Sequence, residues 1–307
     1  MSSPNVVTLE EHFSHPQLLG TIAPPLGEAL LDLGERRLRE MDAAQIDMQV
    51  LGHFPSGPQN LPPERAVALA RETNQLIQST IEAYPNRFAG FASLPLTAPD
   101  QAIIELRRTV REFGFKGAML HGRAAGIPLD DRRFWDVFGE AEALDVPIYL
   151  HPDESPPGVV EAYYAQFPAL LGPGWAYTVE TATQALRLML SGLFDAHPKL
   201  KIILGHLGES LPFSIVRCAA NINRRIALKR PLQDYFHENF WLTTAANFSN
   251  PALTCCLMEM GVDRILFSVD WPFASNIAGR NFIDAAPVSA HDRAKILAMN
   301  AIELLKL

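Results

Sequence analysis

Eight short runs rich in β-branched and aromatic residues recur along this chain, each followed by a longer amphipathic stretch. The runs are NVVTLEEH (5–12), DMQVLG (47–52), RFAGFASL (87–94), KGAMLHG (116–122), VPIYLHP (146–152), KIILGHLG (201–208), NFWLTTAA (239–246) and RILFSVDW (264–271). Strands that alternate with helices form parallel sheets, and eight such units predict an α/β chain folded as a single (β/α)8 barrel of the TIM type. A doubly wound sheet would need a glycine-rich phosphate turn after its first strand, and none follows residue 12. The 307 residues, 48% apolar and 20% charged, suit one large barrel domain spanning 1–307.

The helical stretches carry their own punctuation. In 62–84, Ala66, Leu69, Ala70, Asn74, Ile77 and Ile81 fall near helical spacing. The segment 99–114 opens on Pro99 and closes on Gly114, the expected start and stop of a helix. The least regular stretches, 13–33, 53–62 and 152–176, are rich in Pro and Gly. Each follows a strand, where the active-site loops of such a barrel belong.

Charge and composition exclude several roles. A net charge of −8 argues against a nucleic-acid or membrane-surface partner, both of which need a basic patch. No apolar run approaches the ~18 residues of a membrane span. The opening MSSPNVVTLEEH lacks the basic flank and apolar core of a signal peptide. Cys218, Cys255 and Cys256 show no metal-binding spacing and read as reduced thiols, which places the protein in the cytoplasm.

Polar residues at the C-terminal ends of the strands carry the chemistry in a barrel of this kind. The first strand ends on Glu10 and His12, which alternation puts on one face, with Glu11 on the other. The fifth ends on His151, the sixth on His206 and the eighth on Asp270. Imidazoles and carboxylates together form a mixed nitrogen and oxygen donor set suited to Zn²⁺, Mn²⁺ or Fe²⁺. A lone histidine after a strand is usually a packed loop residue, but four strand ends bearing such groups point to one metal site. Lys116 begins its strand rather than ending it, so no bridging lysine is expected and one ion per chain is predicted. His15, His53 and His121 also follow strands and could line a pocket.

The motifs TLEEHF, YLHP, LLGPGWAYTVETATQALRLMLSGLFDAHPKLKIILGHLGESLPF, YFHENFWLTT and DRILFSVDWPF closely resemble the metal-dependent decarboxylase branch of the amidohydrolase superfamily. That branch includes γ-resorcylate, 2,3-dihydroxybenzoate and 5-carboxyvanillate decarboxylases. The wider superfamily usually opens with H-x-H, and Glu10-x-His12 here follows the decarboxylase branch. The resemblance implies that Glu10, His12, His151 and Asp270 hold one Zn²⁺ or Mn²⁺, with His206 and Glu209 completing the catalytic set. It further implies non-oxidative decarboxylation of an ortho-hydroxybenzoate-type acid. That reaction needs an acid within reach of the ring carbon, and Asp270, at the end of the eighth strand, is expected to carry the proton there. The family counterpart of Arg217 reaches substrate from a neighbouring subunit, so a homodimer or homotetramer is expected.

The chain departs from the γ-resorcylate pattern at MLHGRAAG, where His121 replaces an Asn and is followed by Arg123. These two residues and Phe273 are candidate substrate contacts. Trp271, Phe273 and Trp175 suggest dry aromatic surroundings, which favour loss of CO₂. A lactone or amide hydrolase, or a hydratase, would use the same metal and remains the alternative class.

Overall fold

In a computed structural model describing residues 4–20, 22–54 and 57–307, the eight runs become eight strands arranged as a (β/α)8 barrel. The readings of loops 13–33 and 53–62 and of the N-terminus extend onto residues outside that description. We label the strands β1 (Val7–Phe13), β2 (Met48–His53), β3 (Phe88–Gly90), β4 (Ala118–His121), β5 (Ile148–His151), β6 (Ile202–Leu204), β7 (Phe240–Thr243) and β8 (Ile265–Leu266). Strands β1–β3 pair in parallel, as do β4–β8 in sequence order. A parallel bridge between Ala92 and Ala118 joins the two groups.

At the remaining seam, between β8 and β1, no regular ladder forms. His12 N–H donates to Trp271 O at 2.7 Å, and side chains supply the other bonds. Ser268 Oγ accepts the N–H groups of Leu9 and Glu10, at 3.3 and 2.6 Å. The Glu11 carboxylate accepts Val269 N–H at 2.9 Å and Trp271 N–H at 3.1 Å. Gln49 Nε2 donates to the same carboxylate at 3.3 Å. Glu11 therefore faces away from the strand ends' pocket, as alternation predicts, but it is fully buried and ties the seam shut.

The two N–H groups that converge on Ser268 mark a bulge. Thr8 pairs with Gln49 and Glu11 with Leu51, so three steps along β1 match two along β2. The extra residue changes the phase of the strand. Val7 and Leu9 point into the barrel with Val50, Phe91, Met119, Tyr149, Ile203 and Leu266. Past the bulge Glu10 and His12 point inward, while Phe13 joins the outer layer.

The outer layer lies between strands and helices, and the sequence signals account for it. The helix Pro63–Ala83 buries Ala66, Leu69, Ala70, Asn74 and Ile77. The polar Asn74 belongs on that face because it clamps Ser93, accepting its N–H at 2.8 Å and donating to its carbonyl at 3.0 Å. The helix Pro99–Phe113 ends where Gly114 takes φ 71°, a left-handed cap open to glycine without a Cβ penalty. The C-terminal helix Asn300–Leu305 plugs the base of the barrel, placing Ala301, Leu304 and Leu305 against the interior cluster. Lys116 lies at this base, donating to Lys306 O at 3.0 Å. Among the described residues, no helix is long and apolar enough to cross a membrane.

Ser268→Ala removes the acceptor shared by two buried N–H groups, which should lower stability by about 1–3 kcal/mol. Denaturant unfolding checks this, with the exposed Ser79→Ala, expected within about 0.5 kcal/mol of the parent, as control.

Candidate active site

The strand ends deliver their polar residues to one point at the top of the barrel. Glu10 Oε1 lies 3.2 Å from His151 Nε2, 3.6 Å from His206 Nε2 and 3.9 Å from His12 Nε2. Asp270 places Oδ1 3.1 Å from His12 Nε2 and Oδ2 3.7 Å from His206 Nε2. Two overlapping sets, Glu10–His12–His151 and Glu10–His206–Asp270, are compact enough to hold a metal ion. Donors about 2.0–2.2 Å from one ion lie at roughly these separations from each other.

The hydrogen bonds leave the same atoms spare. Glu10 Oε1 and His12 Nε2 are buried without a hydrogen-bond partner. His151 donates from Nδ1 to Pro152 O at 2.8 Å, which turns the lone pair of Nε2 toward Glu10. Buried polar atoms without partners are unfavourable, and a cation at their focus would satisfy them together.

Electrostatics points the same way. Burial opposes ionisation of Glu10, but His206, His151 and His12 around it hold its pKa down, to about 2. His12 is kept below the usual histidine range by burial, although Asp270 pulls the other way. A neutral imidazole beside a carboxylate is the form that binds metal. At His206 burial also disfavours the cation, yet Glu10, Glu209 and Asp270 outweigh it and raise its pKa well above the ordinary value.

Backbone strain places two of these groups. Residues 206–210 run through five consecutive positive φ angles, 52°, 57°, 75°, 54° and 64°. Four of the five are not glycine, and each costs about 1–2 kcal/mol in that region. The left-handed turn folds Glu209 back so that Oε1 lies 2.7 Å from His206 Nδ1, the pairing their spacing predicts. Leu207 N–H donates to Thr243 O at 2.7 Å and Asn247 Nδ2 to His206 O at 3.1 Å, holding the turn. Asp270 also sits at φ 73°.

A cavity of about 110 Å³ opens above these groups, lined by His151, His206 and Asp270 below and by Phe54, Pro173, Tyr177 and Phe273 around them. An apolar cavity on the order of 150 Å³ accepts benzene, so this one is on the scale of a single ring. Phe54 and Phe273 meet edge to face at 4.6 Å, and both stand over His12.

The other expected residues divide. Phe273 lines the cavity. His121 stands beside His151, rings 4.8 Å apart, buried, with neither ring nitrogen hydrogen-bonded. Burial, helped by the neighbouring His151, His12 and His53, keeps its pKa well below the usual value. Arg123 is engaged elsewhere, donating to Glu180 and to Glu154 O. Arg217 is exposed on the helix Leu211–Ile222. Of the three expected aromatics, only Phe273 walls the cavity. Trp175 is half exposed, and Trp271 turns outward under the Arg37 guanidinium, 4.0 Å from its ring centre. Asp270 leaves the extended conformation at φ 73°, and the chain beyond it carries Trp271 to the outside. Phe54 and Tyr177 were not expected; Phe54 directly follows β2 and Tyr177 lies in the first turn of the helix Ala176–Leu190, and neither local pattern gives a sign of the wall they form.

Residues 25–307 match the amidohydrolase family. The chain is 41% identical to the gamma-resorcylate decarboxylase of Rhodococcus jostii strain RHA1, over 98% of each. It superposes on the crystal structure of 2,6-dihydroxybenzoate decarboxylase from Rhizobium with a TM-score of 0.94 and 40% identity, covering 100% of this chain and 99% of that one. A dihydroxybenzoic acid decarboxylase from Polaromonas sp. JS666, crystallised with bound manganese and the inhibitor 2-nitroresorcinol, gives a TM-score of 0.94 at 39% identity, covering 100% and 98%.

Gly205 packs so closely on Glu10 that a Cβ there would lie 2.4 Å from Oε2. Gly205→Ala should therefore push the carboxylate from its place. The expected result is a folded protein by circular dichroism that loses most of its divalent metal, by elemental analysis after gel filtration.

Proposed function

The chain belongs to the amidohydrolase family, and on that footing we propose that Glu10, His12, His151 and Asp270 hold one divalent ion per chain, Mn²⁺ or Zn²⁺. The enzyme is a metal-dependent carboxy-lyase that removes CO₂ from a hydroxylated aromatic acid without oxidation. The observation that carries the assignment of residues is the convergence of unsatisfied donor atoms beneath a ring-sized aromatic cavity. When bound, the ion supplies Lewis acidity to the substrate carboxylate and the neighbouring hydroxyl oxygen, making that hydroxyl more acidic.

The protein's own groups do the rest. Phe54 and Phe273 grip the ring faces and edges and keep water from the carboxylate, which favours departure of neutral CO₂. Asp270 takes the proton released by the ortho-hydroxyl and delivers it to the ring carbon that bears the carboxylate. The carbon–carbon bond then breaks, its electron pair returns to the ring, and aromaticity is restored. One proton is gained by carbon and one CO₂ leaves, so no oxidant is needed. His206, oriented through Nδ1 by Glu209, faces the same space with Nε2 and steadies negative charge on the substrate.

We assign His121, which packs beside His151 behind the cavity lining, to reading a ring substituent. Arg123 acts through the wall: it holds Glu154, whose carboxylate accepts the Tyr177 hydroxyl at 3.0 Å. Trapping CO₂ and the matching arene from a panel of hydroxybenzoates tests the reaction, and an opened lactone or amide product would overturn it. Free thiols and the motif resemblance support a cytoplasmic enzyme acting on a small aromatic acid.

Arg217 stands six residues past Leu211, the first residue of its helix, about 9 Å along the axis; it is exposed and is not among the residues that line its own cavity. We assign it to the cavity of a second copy in a homodimer or homotetramer.

Asp270→Asn keeps the shape and an oxygen donor but has no carboxyl proton, so it should retain part of its metal while kcat falls roughly 10²-fold or more. In D₂O the parent enzyme should place one deuterium where the carboxylate was, read by NMR of the product. For the shared site, Arg217→Ala should raise KM, and mixing it with inactive Asp270→Asn should restore part of the activity; a fully active monomer by light scattering would contradict sharing.

A further inference from the structure

Within the barrel, directly beneath the proposed metal site, a line of hydroxyl groups ends on the Glu10 carboxylate. Tyr149 precedes His151 by two residues on β5 and so shares its inward face. Its hydroxyl donates to Glu10 Oε2, the oxygen turned away from the imidazoles. Tyr149 Oη also lies 2.9 Å from Thr243 Oγ1 on β7. A phenol has one hydrogen, and it is used on Glu10, so Thr243 must donate to Tyr149. Thr243 Oγ1 in turn accepts Ala245 N–H at 3.4 Å. The direction of every bond is thereby fixed, from a backbone amide through two hydroxyls to the carboxylate, and aligned donors of this kind reinforce one another.

The carboxylate is confined on its other side as well. The backbone at Gly205 leaves no room beyond Oε2, where a Cβ would sit 2.4 Å away. Oε1 is left facing His12, His151 and His206 with no hydrogen bond of its own. The two oxygens of Glu10 thus have different surroundings, one saturated by the protein and one spare.

We propose that Tyr149, backed by Thr243, is a positioning residue that fixes Glu10 as a one-oxygen ligand and sets the affinity of the site for its ion. This rests on the assignment of Glu10 as a ligand made above. Tyr149 touches neither substrate nor ion. It acts by denying Glu10 the rotation that would bring both oxygens to the metal or turn Oε1 away. The general scale for losing such an outer partner is 10- to 100-fold in metal affinity.

The test uses the full-length protein stripped of metal and titrated with Mn²⁺ against a fluorescent chelator. Tyr149→Phe keeps the ring and its packing and deletes only the hydroxyl. Its Kd for Mn²⁺ should rise by roughly 10- to 100-fold, with a changed Mn²⁺ paramagnetic resonance spectrum and near-parental turnover once metal saturates. Thr243→Val should weaken binding in the same direction, and Thr243→Ser, which keeps a hydroxyl, should restore it. A Tyr149→Phe protein with Kd and spectrum like the parent would overturn the proposal, even if it melts at a lower temperature. Glu10→Gln separates the two levels. If it abolishes binding while Tyr149→Phe keeps the parental Kd, the ligand assignment stands and the positioning role falls; if Glu10→Gln binds normally, the ligand assignment itself fails.

Discussion

The Glu11 carboxylate reaches from β1 to the backbone of the segment that follows β8, taking Val269 N–H and Trp271 N–H at 2.9 and 3.1 Å, and the placement of the site follows from that bond pair. Asp270 lies between those two amides, so its backbone is held on both sides. Glu10 and His12 flank Glu11 on β1 and are held equally. Three of the four proposed ligands are therefore located by one acidic side chain that faces the other way. Burial pushes Glu11 up to about 8, against the pull of its backbone donors. Arg37 encloses the same region, donating to His12 O and covering the Trp271 ring, whose indole N–H reaches Glu40 Oε2 at 2.6 Å.

The other side of the site is held by strain that its neighbours resist. The left-handed run 206–210 would not persist in isolation, and its carbonyl and amide bonds to β7 and to Asn247 make it possible. It turns the His206 ring toward Glu10 and Asp270 while Glu209 supports it from behind. The site thus combines groups fixed by a seam with groups fixed by a strained turn, and the cavity between them is preorganised rather than assembled on demand.

Much of this was legible in the sequence, for a definite reason. A strand end is marked by a change from apolar residues to a charged or imidazole group, and Glu10, His12, His151, His206 and Asp270 each stand at such a change. Three-residue spacing was enough to join His206 and Glu209. What stayed hidden depends on contacts between distant segments. Tyr149 reads as an ordinary inward aromatic until Glu10 is seen above it, 139 residues away. Arg123 reads as a candidate substrate contact until Glu180 is brought to it by the helix Ala176–Leu190. Ser268 looks like filler in a buried strand, and only the arrival of β1 shows that it caps two amides. Trp271 was hidden as well, because the left-handed backbone at Asp270 breaks the alternation that would have placed it.

The single extra residue in β1 also governs how the strand can be compared with others. Side chains alternate, so an insertion or deletion of one position between Thr8 and Glu11 reverses parity, while a change of two preserves it. Adjacent Glu10 and Glu11 conceal the difference, because sliding one onto the other matches letter to letter. A pairwise alignment shifted by one place here would exchange a pocket oxygen for a seam clamp without registering a mismatch. His12 breaks the tie: it can face the pocket in only one of the two parities, and it is the residue to anchor on.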